Sequence, residues 1–331
     1  MTRQRETRIW IGTALAIALA GCGGLETGLQ PSLRRSALSF NWGSGWRLPL
    51  SGRDLNGTAL NGVVLDGHLM SAISLAGVTA GGQALKKVWL QGTAFHTAGP
   101  GNAALGKDAV GAVFQGMLDD GTTIAVRIDG VGPGTTPKMA DVLEYVVSYS
   151  TREGWRPLCG VSDDGAPVGA VPLAGRWNLE VDVPGSGSFI DDPASFTFAC
   201  QGYALAKCVE AGYKPWLTGK SCTKGKCTTV SLADYHQACT RLLRADYCGD
   251  GRSHTVDGQE LNMYDGFGIR TDAGAWLPEA EWDGKGARCV ARQRIAGEVP
   301  SCLASLATEG CGDPSHFATG ALLISELPPA L

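Results

Sequence analysis

The sequence predicts an α+β domain, rich in β-strands and stapled by disulfides, with a short Leu/Gly pentapeptide-like repeat segment N-terminal to it. Three observations carry this reading. First, 47 Gly and 16 Pro make up about 19% of the 331 residues, against roughly 12% in average proteins, which means many turns and few long helices. Second, stretches between residues 110 and 200 alternate apolar and polar side chains and are rich in β-branched residues. Third, eleven Cys are too many for a reducing compartment. The 28 Lys and Arg against 32 Asp and Glu leave a net charge of −4. With no basic footprint, nucleic acid is not an expected partner.

The N-terminus has the form of an export signal. Arg3, Arg5 and Arg8 precede an uncharged, mostly apolar run from Ile9 to Ala20, which suits a signal peptide and is too short to span a bilayer. Leu19-Ala20-Gly21-Cys22 comes next and resembles the bacterial lipobox. The resemblance implies cleavage before Cys22 and a diacylglyceryl thioether on its sulfur. Residues 1–21 are then a lipoprotein signal peptide and the membrane is a partner through the lipid on Cys22. Gly23 rather than Asp after it implies, by analogy with sorting in Gram-negative envelopes, the outer membrane.

Residues 22–47 read as a tether without a sustained period. Residues 48–97 carry a period of five through Leu50, Leu55, Leu60, Leu65, Met70 and Leu75, weaker through Leu85, Leu90 and Phe95. This resembles pentapeptide repeats, which wind into a square β-solenoid, but Arg53, Val63, His68 and Ile73 stand where that fold wants small residues. A Gly-rich run of short strands is the alternative. On either reading the segment is expected to be separable from the domain over 109–295.

In that domain, Val110 to Leu118, Asp119-Asp120-Gly121 and Thr122 to Ile128 read as a hairpin. Further strands are expected over 143–150, 172–183 and 195–200. A helix over 203–212 ends at Gly212. A second starts at Ser231 with an acid three places on. Its Leu232, Tyr235, Cys239 and Leu242 share a face. A hairpin over 255–264 with Asp257-Gly258 as its turn comes after it, and the C-terminal extension, 296–331, carries an apolar strand over 321–324.

With Cys22 lipidated, ten Cys remain: Cys159, Cys200, Cys208, Cys222, Cys227, Cys239, Cys248, Cys289, Cys302 and Cys311. An even number in an oxidising compartment implies five disulfides. Cys222 and Cys227 bracket a tight turn and suit each other, and Cys302 is expected to pair with Cys311. The other six allow 15 connectivities. No CxxC occurs and no metal is expected.

His236-Gln-Ala-Cys239, Arg241, Arg244 and then Ala245-Asp246-Tyr247-Cys248-Gly249-Asp250-Gly251 form an ordered series with Pro157-Leu-Cys159, Gly175-Arg-Trp177, Phe196-Thr-Phe-Ala-Cys200 and Gly286-Ala-Arg-Cys289. The series resembles the bacterial ADYC domain-containing lipoproteins, a family known by that tetrapeptide, over roughly 110–295. The resemblance implies no activity.

The catalytic candidates are His236, Asp246, Asp250 and His254, with Arg244 and Asp257 near them, a mix that suits acid–base work or a metal. The plainer reading pairs Asp246 with Arg244 in a scaffold and places Asp250 and Asp257 in turns. GxSxG, HExxH and the P-loop Lys are all missing, and so is the EF-hand pattern. No cofactor is expected. Of nine Trp, Trp155, Trp177, Trp216, Trp276 and Trp282 suit core packing or an aromatic groove. The expectation is therefore a non-enzymatic cell-envelope lipoprotein that has a structural role or binds an envelope or extracellular protein or glycan. The alternative is an exported hydrolase acting through the His/Asp group. The anchor is checked by fractionating cells: the wild-type chain is expected with membranes and Cys22→Ala in the soluble fraction, and identical partitioning removes the anchor.

Overall fold

The computed structural model describes residues 63–65, 67–98, 105–134, 136–223, 226–256 and 258–329. The signal peptide, the tether, the first repeats to residue 62 and Asp257 lie outside the described residues. Six antiparallel strands close into a barrel: β1 (His68–Val78), β2 (Val113–Leu118), β3 (Thr123–Pro133), β4 (Leu143–Thr151), β5 (Ala170–Ala174) and β6 (Ser195–Cys200). Strand pairing runs β1–β6–β5–β4–β3–β2 and returns to β1, where Met70 lies opposite Leu118 and Val78 opposite Val113. The β2–β3 hairpin and β4 fall where the alternation places them, and β6 matches its expected span.

The barrel interior is filled rather than hollow. Ile73, Phe114, Val126, Ile128, Tyr145, Phe196 and Phe198 are buried around Phe95. Phe95 comes from the short hairpin Trp89–Gln91 and Ala94–His96. Its ring centroid lies 5.4 Å from Phe114, 5.4 Å from Tyr145 and 5.0 Å from Phe196. The Tyr145 hydroxyl donates to the Thr93 carbonyl at 2.9 Å, which fixes the plug at its base. Close packing of this kind makes each ring costly to remove.

The chain then leaves the barrel into α1 (Ala204–Ala211), a two-stranded ribbon β7 (Thr218–Thr223) and β8 (Lys226–Ser231), and α2 (Leu232–Arg244). Ser231 caps α2 by accepting from the Ala233 N–H at 3.1 Å. The helix packs on a four-stranded antiparallel sheet of β9 (Asn262–Asp265), β10 (Leu277–Asp283), β11 (Gly286–Val290) and β12 (Leu323–Leu327), ordered β9-β12-β10-β11. Tyr247 and Trp282 stack at 5.3 Å in this second core. Leu205, Ala206 and Val209 of α1 pack on Val171, Leu173 and Trp177, which joins the second core to the barrel wall. No helix of the described residues is long and apolar enough to cross a membrane.

Four sequence expectations need correction. Residues 68–78 are not a solenoid coil but the strand that closes the barrel, with Met70 and Ile73 buried in its core. The repeat residues from 68 to 97 are therefore part of the barrel and not separable from the domain C-terminal to them. The hairpin over 255–264 does not form: β9 begins at Asn262 and pairs with β12, Asn262 lying opposite Glu326. The extension over 296–331 supplies that central strand of the sheet. Cys302 does not pair with Cys311, since Cys302 bridges Cys248 and Cys311 bridges Cys289. The remaining bridges are Cys159–Cys200 and Cys208–Cys239. Cys227 is also disulfide-bonded, and in the ribbon its backbone lies opposite Cys222.

A chain beginning at Leu105 lacks both β1 and the Phe95 plug. Its thermal unfolding is expected to lose cooperativity, and Phe95→Ala in the full chain is expected to cost about 3–5 kcal/mol. An unchanged, sharp melt of the shortened chain counts against the closed barrel.

Candidate functional site

The site is built at the end of α2, where an acid, two arginines and a tight turn meet. Ala245 takes the left-handed conformation, φ 50° and ψ 40°. Its N–H bonds to the Leu242 carbonyl at 3.0 Å and the Asp246 N–H to the Arg241 carbonyl at 2.9 Å, the bond pattern of a Schellman cap. The turn sends Asp246 back beneath the helix, with no solvent exposure. Its carboxylate accepts from the Arg241 guanidinium, from the Asp250 N–H at 3.1 Å and from the Gly251 N–H at 3.1 Å. Arg241 also donates to the Ser186 carbonyl and Ser188 hydroxyl, and Arg244 donates to the Gly251 carbonyl. Burial pushes the Asp246 carboxyl up and the two arginines pull it down. Burial lowers Arg244 to about 10, while Asp246 favours its charge. Gly249 is required here, because a Cβ at its φ of 64° would lie 1.7 Å from the Lys285 carbonyl oxygen.

The next two residues of the tetrapeptide are equally committed. The Tyr247 hydroxyl donates to Glu279 at 2.8 Å and accepts from the Arg294 N–H at 3.0 Å. Arg294 and Glu279 form a second ion pair at 2.8 Å with neither side chain exposed. The Arg294 guanidinium also caps α2 by donating to the Leu242 and Leu243 carbonyls at 2.9 and 3.0 Å. Cys248 bridges Cys302.

His236 is sealed between the helices. Its Nε2 lies 3.0 Å from the Leu205 carbonyl, so Nε2 carries the proton and donates it. Burial holds its imidazole down at about 4, with the Leu205 bond pulling the other way. Asp250 and His254 are placed differently: they line an open cleft of about 700 Å³ with Asp182, Arg252, Glu298 and Ser301. Arg252 forms an exposed pair with Asp182, and His254 Nδ1 lies 3.0 Å from Glu298 Oε2. The sequence candidates therefore divide. His236, Arg244 and Asp246 belong to a closed network, and Asp250 and His254 to the cleft. Asp246 pairs with Arg241, one helical turn before the expected Arg244, and Arg244 also favours the charge of Asp246. Arg241, Glu279, Arg294 and Glu298 were missed as site residues, because nothing in the local pattern sets them apart from surface charges.

Metal-type donors meet twice among the described residues. Glu281, Cys289 and Cys311 are close, but the two sulfurs are bonded to each other. His68, Asp119 and Asp120 converge on the barrel rim, where His68 Nδ1 lies 2.9 Å from Asp119 and Asp120 is engaged by Thr122. Of the tryptophans, Trp177 and Trp282 are core residues. Trp155 is part-exposed under the Arg127 guanidinium, 4.2 Å from its ring centroid.

The model of the ADYC domain matches residues 106–296. This chain belongs to the ADYC family. The match covers the barrel from β2 onward and the second core as far as Arg294, so the tetrapeptide names the helix-end turn described above. No curated protein and no solved structure matches the chain.

Two outcomes are expected of the closed network. Asp246→Asn removes the carboxylate that pairs with Arg241 and favours the charge of Arg244, and is expected to cost about 3–5 kcal/mol of stability. A melt like that of wild type would show that the pair is dispensable. The second concerns pH. The unfolded chain protonates His236 near 6.5, whereas the folded chain refuses the proton until about 4. The stability this group contributes is full above pH 6.5 and is lost as pH falls towards 4, by about 3 kcal/mol. Denaturant unfolding at pH 7 and pH 4 should show a smaller pH dependence in His236→Gln than in wild type.

Proposed function

We propose that the chain is a cell-envelope lipoprotein, held through Cys22 at the outer membrane, whose ADYC domain is a non-enzymatic binding or structural module. The observation that carries this reading is the division of the polar residues. His236 and Asp246 have 2% and 0% exposure and are bonded to backbone and arginine, so they cannot meet a substrate. The acid–base groups near the tetrapeptide build a scaffold, and the cleft above it is the place where a partner meets the domain. The cleft offers both signs of charge and a bare apolar rim at Val299, which is 76% exposed. That mixture suits an envelope or extracellular protein or glycan held by several weak polar contacts around an apolar spot. The disulfides support an oxidising site of action.

A second reading, an exported hydrolase, is favoured by one contact. A His held at Nδ1 by a carboxylate, as His254 is by Glu298, has the orientation of a general base. The two readings separate in one experiment. Arg252→Ala and Val299→Asp change the cleft without touching the closed network, and His254→Ala also removes a ring contact with Tyr247 at 5.8 Å. Purified chains are incubated with isolated envelope fractions and sedimented. At least a tenfold loss of retention in the variants, with unchanged melting in Arg252→Ala and Val299→Asp and no covalent change in the envelope material, is the expected result. Retention equal to wild type removes the cleft as the binding place. Release of cleaved material by wild type but not by His254→Ala moves the assignment to the hydrolase.

A further inference from the structure

Of the four bridges between described residues, Cys248–Cys302 alone has neither half buried. Cys248 and Cys302 line a separate recess of about 390 Å³ together with Lys285 and Arg288. Asp283 is the one acid there, and Arg288 is paired with it at 3.5 Å, so the recess keeps a net positive charge from Lys285. Two donors also face one sulfur. The Cys302 N–H lies 3.1 Å from Cys248 Sγ, and the Ser301 hydroxyl lies 3.6 Å from it. A partly exposed, electropositive surrounding with donors aimed at sulfur lowers the cost of a thiolate. Exposed bridges are the ones reductants reach.

We propose that the Cys248–Cys302 bridge is a thiol–disulfide exchange site that takes a dithiol as its partner. The attacking thiolate forms a bond to Cys302 Sγ. The Cys248–Cys302 bond breaks and its electron pair goes to Cys248 Sγ, the sulfur that the Cys302 N–H and Ser301 hydroxyl face. The second thiolate of the partner then attacks the mixed disulfide and releases Cys302. The partner leaves as a disulfide, and the chain holds two thiols and the two electrons and two protons the partner gave up. The bridge has a further consequence that rests on the binding reading of the cleft. Glu298, Val299 and Ser301 form one cleft wall, and Cys302 is the covalent pin directly after it. Between Arg292 and Leu303 no strand holds the chain, so opening the bridge frees that wall.

The test uses the native chain in graded dithiothreitol, quenched by alkylation and mapped by mass. Cys248 and Cys302 are expected to label at concentrations at least tenfold below those that open Cys159–Cys200 or Cys289–Cys311. Reduction of these three bridges together overturns the proposal. So does opening of the exposed Cys227 bridge while Cys248–Cys302 holds out with the others. Reduced glutathione, a single thiol, is expected to be captured on Cys302, and capture on Cys248 overturns the direction of attack. Lys285→Glu should slow the reaction without changing the melt. Amide exchange over residues 296–301 is expected to rise at least tenfold once this bridge alone is open. Unchanged exchange there overturns the coupling to the cleft but leaves the thiol chemistry standing. Loss of the cleft's binding role in the sedimentation experiment bears on neither labelling result.

Discussion

A buried carboxylate is the constraint around which the second core is arranged. Asp246 has no solvent to fall back on, and an unpaired charge in such a place is costly. Its acceptor sites are filled by Arg241 on the preceding helix and by two backbone N–H groups of the next loop. For one carboxylate to reach all three, the chain must reverse within a single residue, which Ala245 does in a left-handed conformation that non-glycine residues rarely adopt. The loop must then return close enough to present its N–H groups, and this needs Gly249 and Gly251 where side chains would strike Lys285, Glu180 and Ser186. The four-residue signature is thus a geometric unit whose first member turns, whose second is the anchor, and whose third and fourth tie it to the sheet and the tail.

The charge balance explains why more than one anchor is needed. Arg241, Arg244 and Arg294 are buried at the end of α2 against Asp246 and Glu279. The helix C-terminus supplies the rest, because its unsatisfied carbonyls carry partial negative charge. Arg294 donates to the carbonyls of Leu242 and Leu243 in the last turn of α2, and Arg244 to that of Gly251 in the next loop. Buried cations here stand in for water at carbonyls of the helix end and of the loop after it. Such pairs add little net stability compared with an apolar core, yet losing one partner strands the other. This asymmetry makes the network a specifier of one arrangement more than a source of stability.

Which elements were legible in the sequence depends on the range of each interaction. The β2–β3 hairpin and α2 could be read, since alternation, an Asp-Gly turn and a Ser cap act within a few residues. β1 was hidden because the Leu/Gly period of five in residues 48–97 overlies it and its register shifts break the alternation, so that Met70 and Ile73, three residues apart, both enter the barrel core. The plug residue Phe95 is marked locally only as a weak member of the period of five, because its role depends on rings contributed by β2, β4 and β6. The pairing of β9 with β12 was equally out of reach, and Asp257-Gly258 imitated a hairpin turn that nothing else supports. Among the candidate residues, the acid at 246 was found together with Arg244, whose charge it favours, but its ion pair with Arg241 was not. Sequence distance points to Arg244, and the reversal at Ala245 brings Asp246 back under Arg241 as well.

The same contrast of ranges assigns different work to the two halves of the described chain. The barrel is held by continuous strand pairing and an aromatic interior, and Cys159–Cys200 is the one bridge that lies within it. The second core has four short strands, and the chain over 246–261, 266–276 and 291–322 contains no strand. Those segments lose much backbone entropy on ordering and return few sheet hydrogen bonds. Bridges spanning 22, 31 and 54 residues limit the freedom of the unfolded chain where sheet pairing is weakest, by about 3–4 kcal/mol each on a chain-entropy argument. A rigid knot under α2 with covalently pinned loops above it is a frame on which exposed residues can change without loss of the fold. Asp250, Arg252, His254 and Glu298 stand on those loops, one step outside the buried network. Their positions are fixed by residues that never reach the surface, and so the strictness demanded of the tetrapeptide and the latitude left to the cleft come from one arrangement.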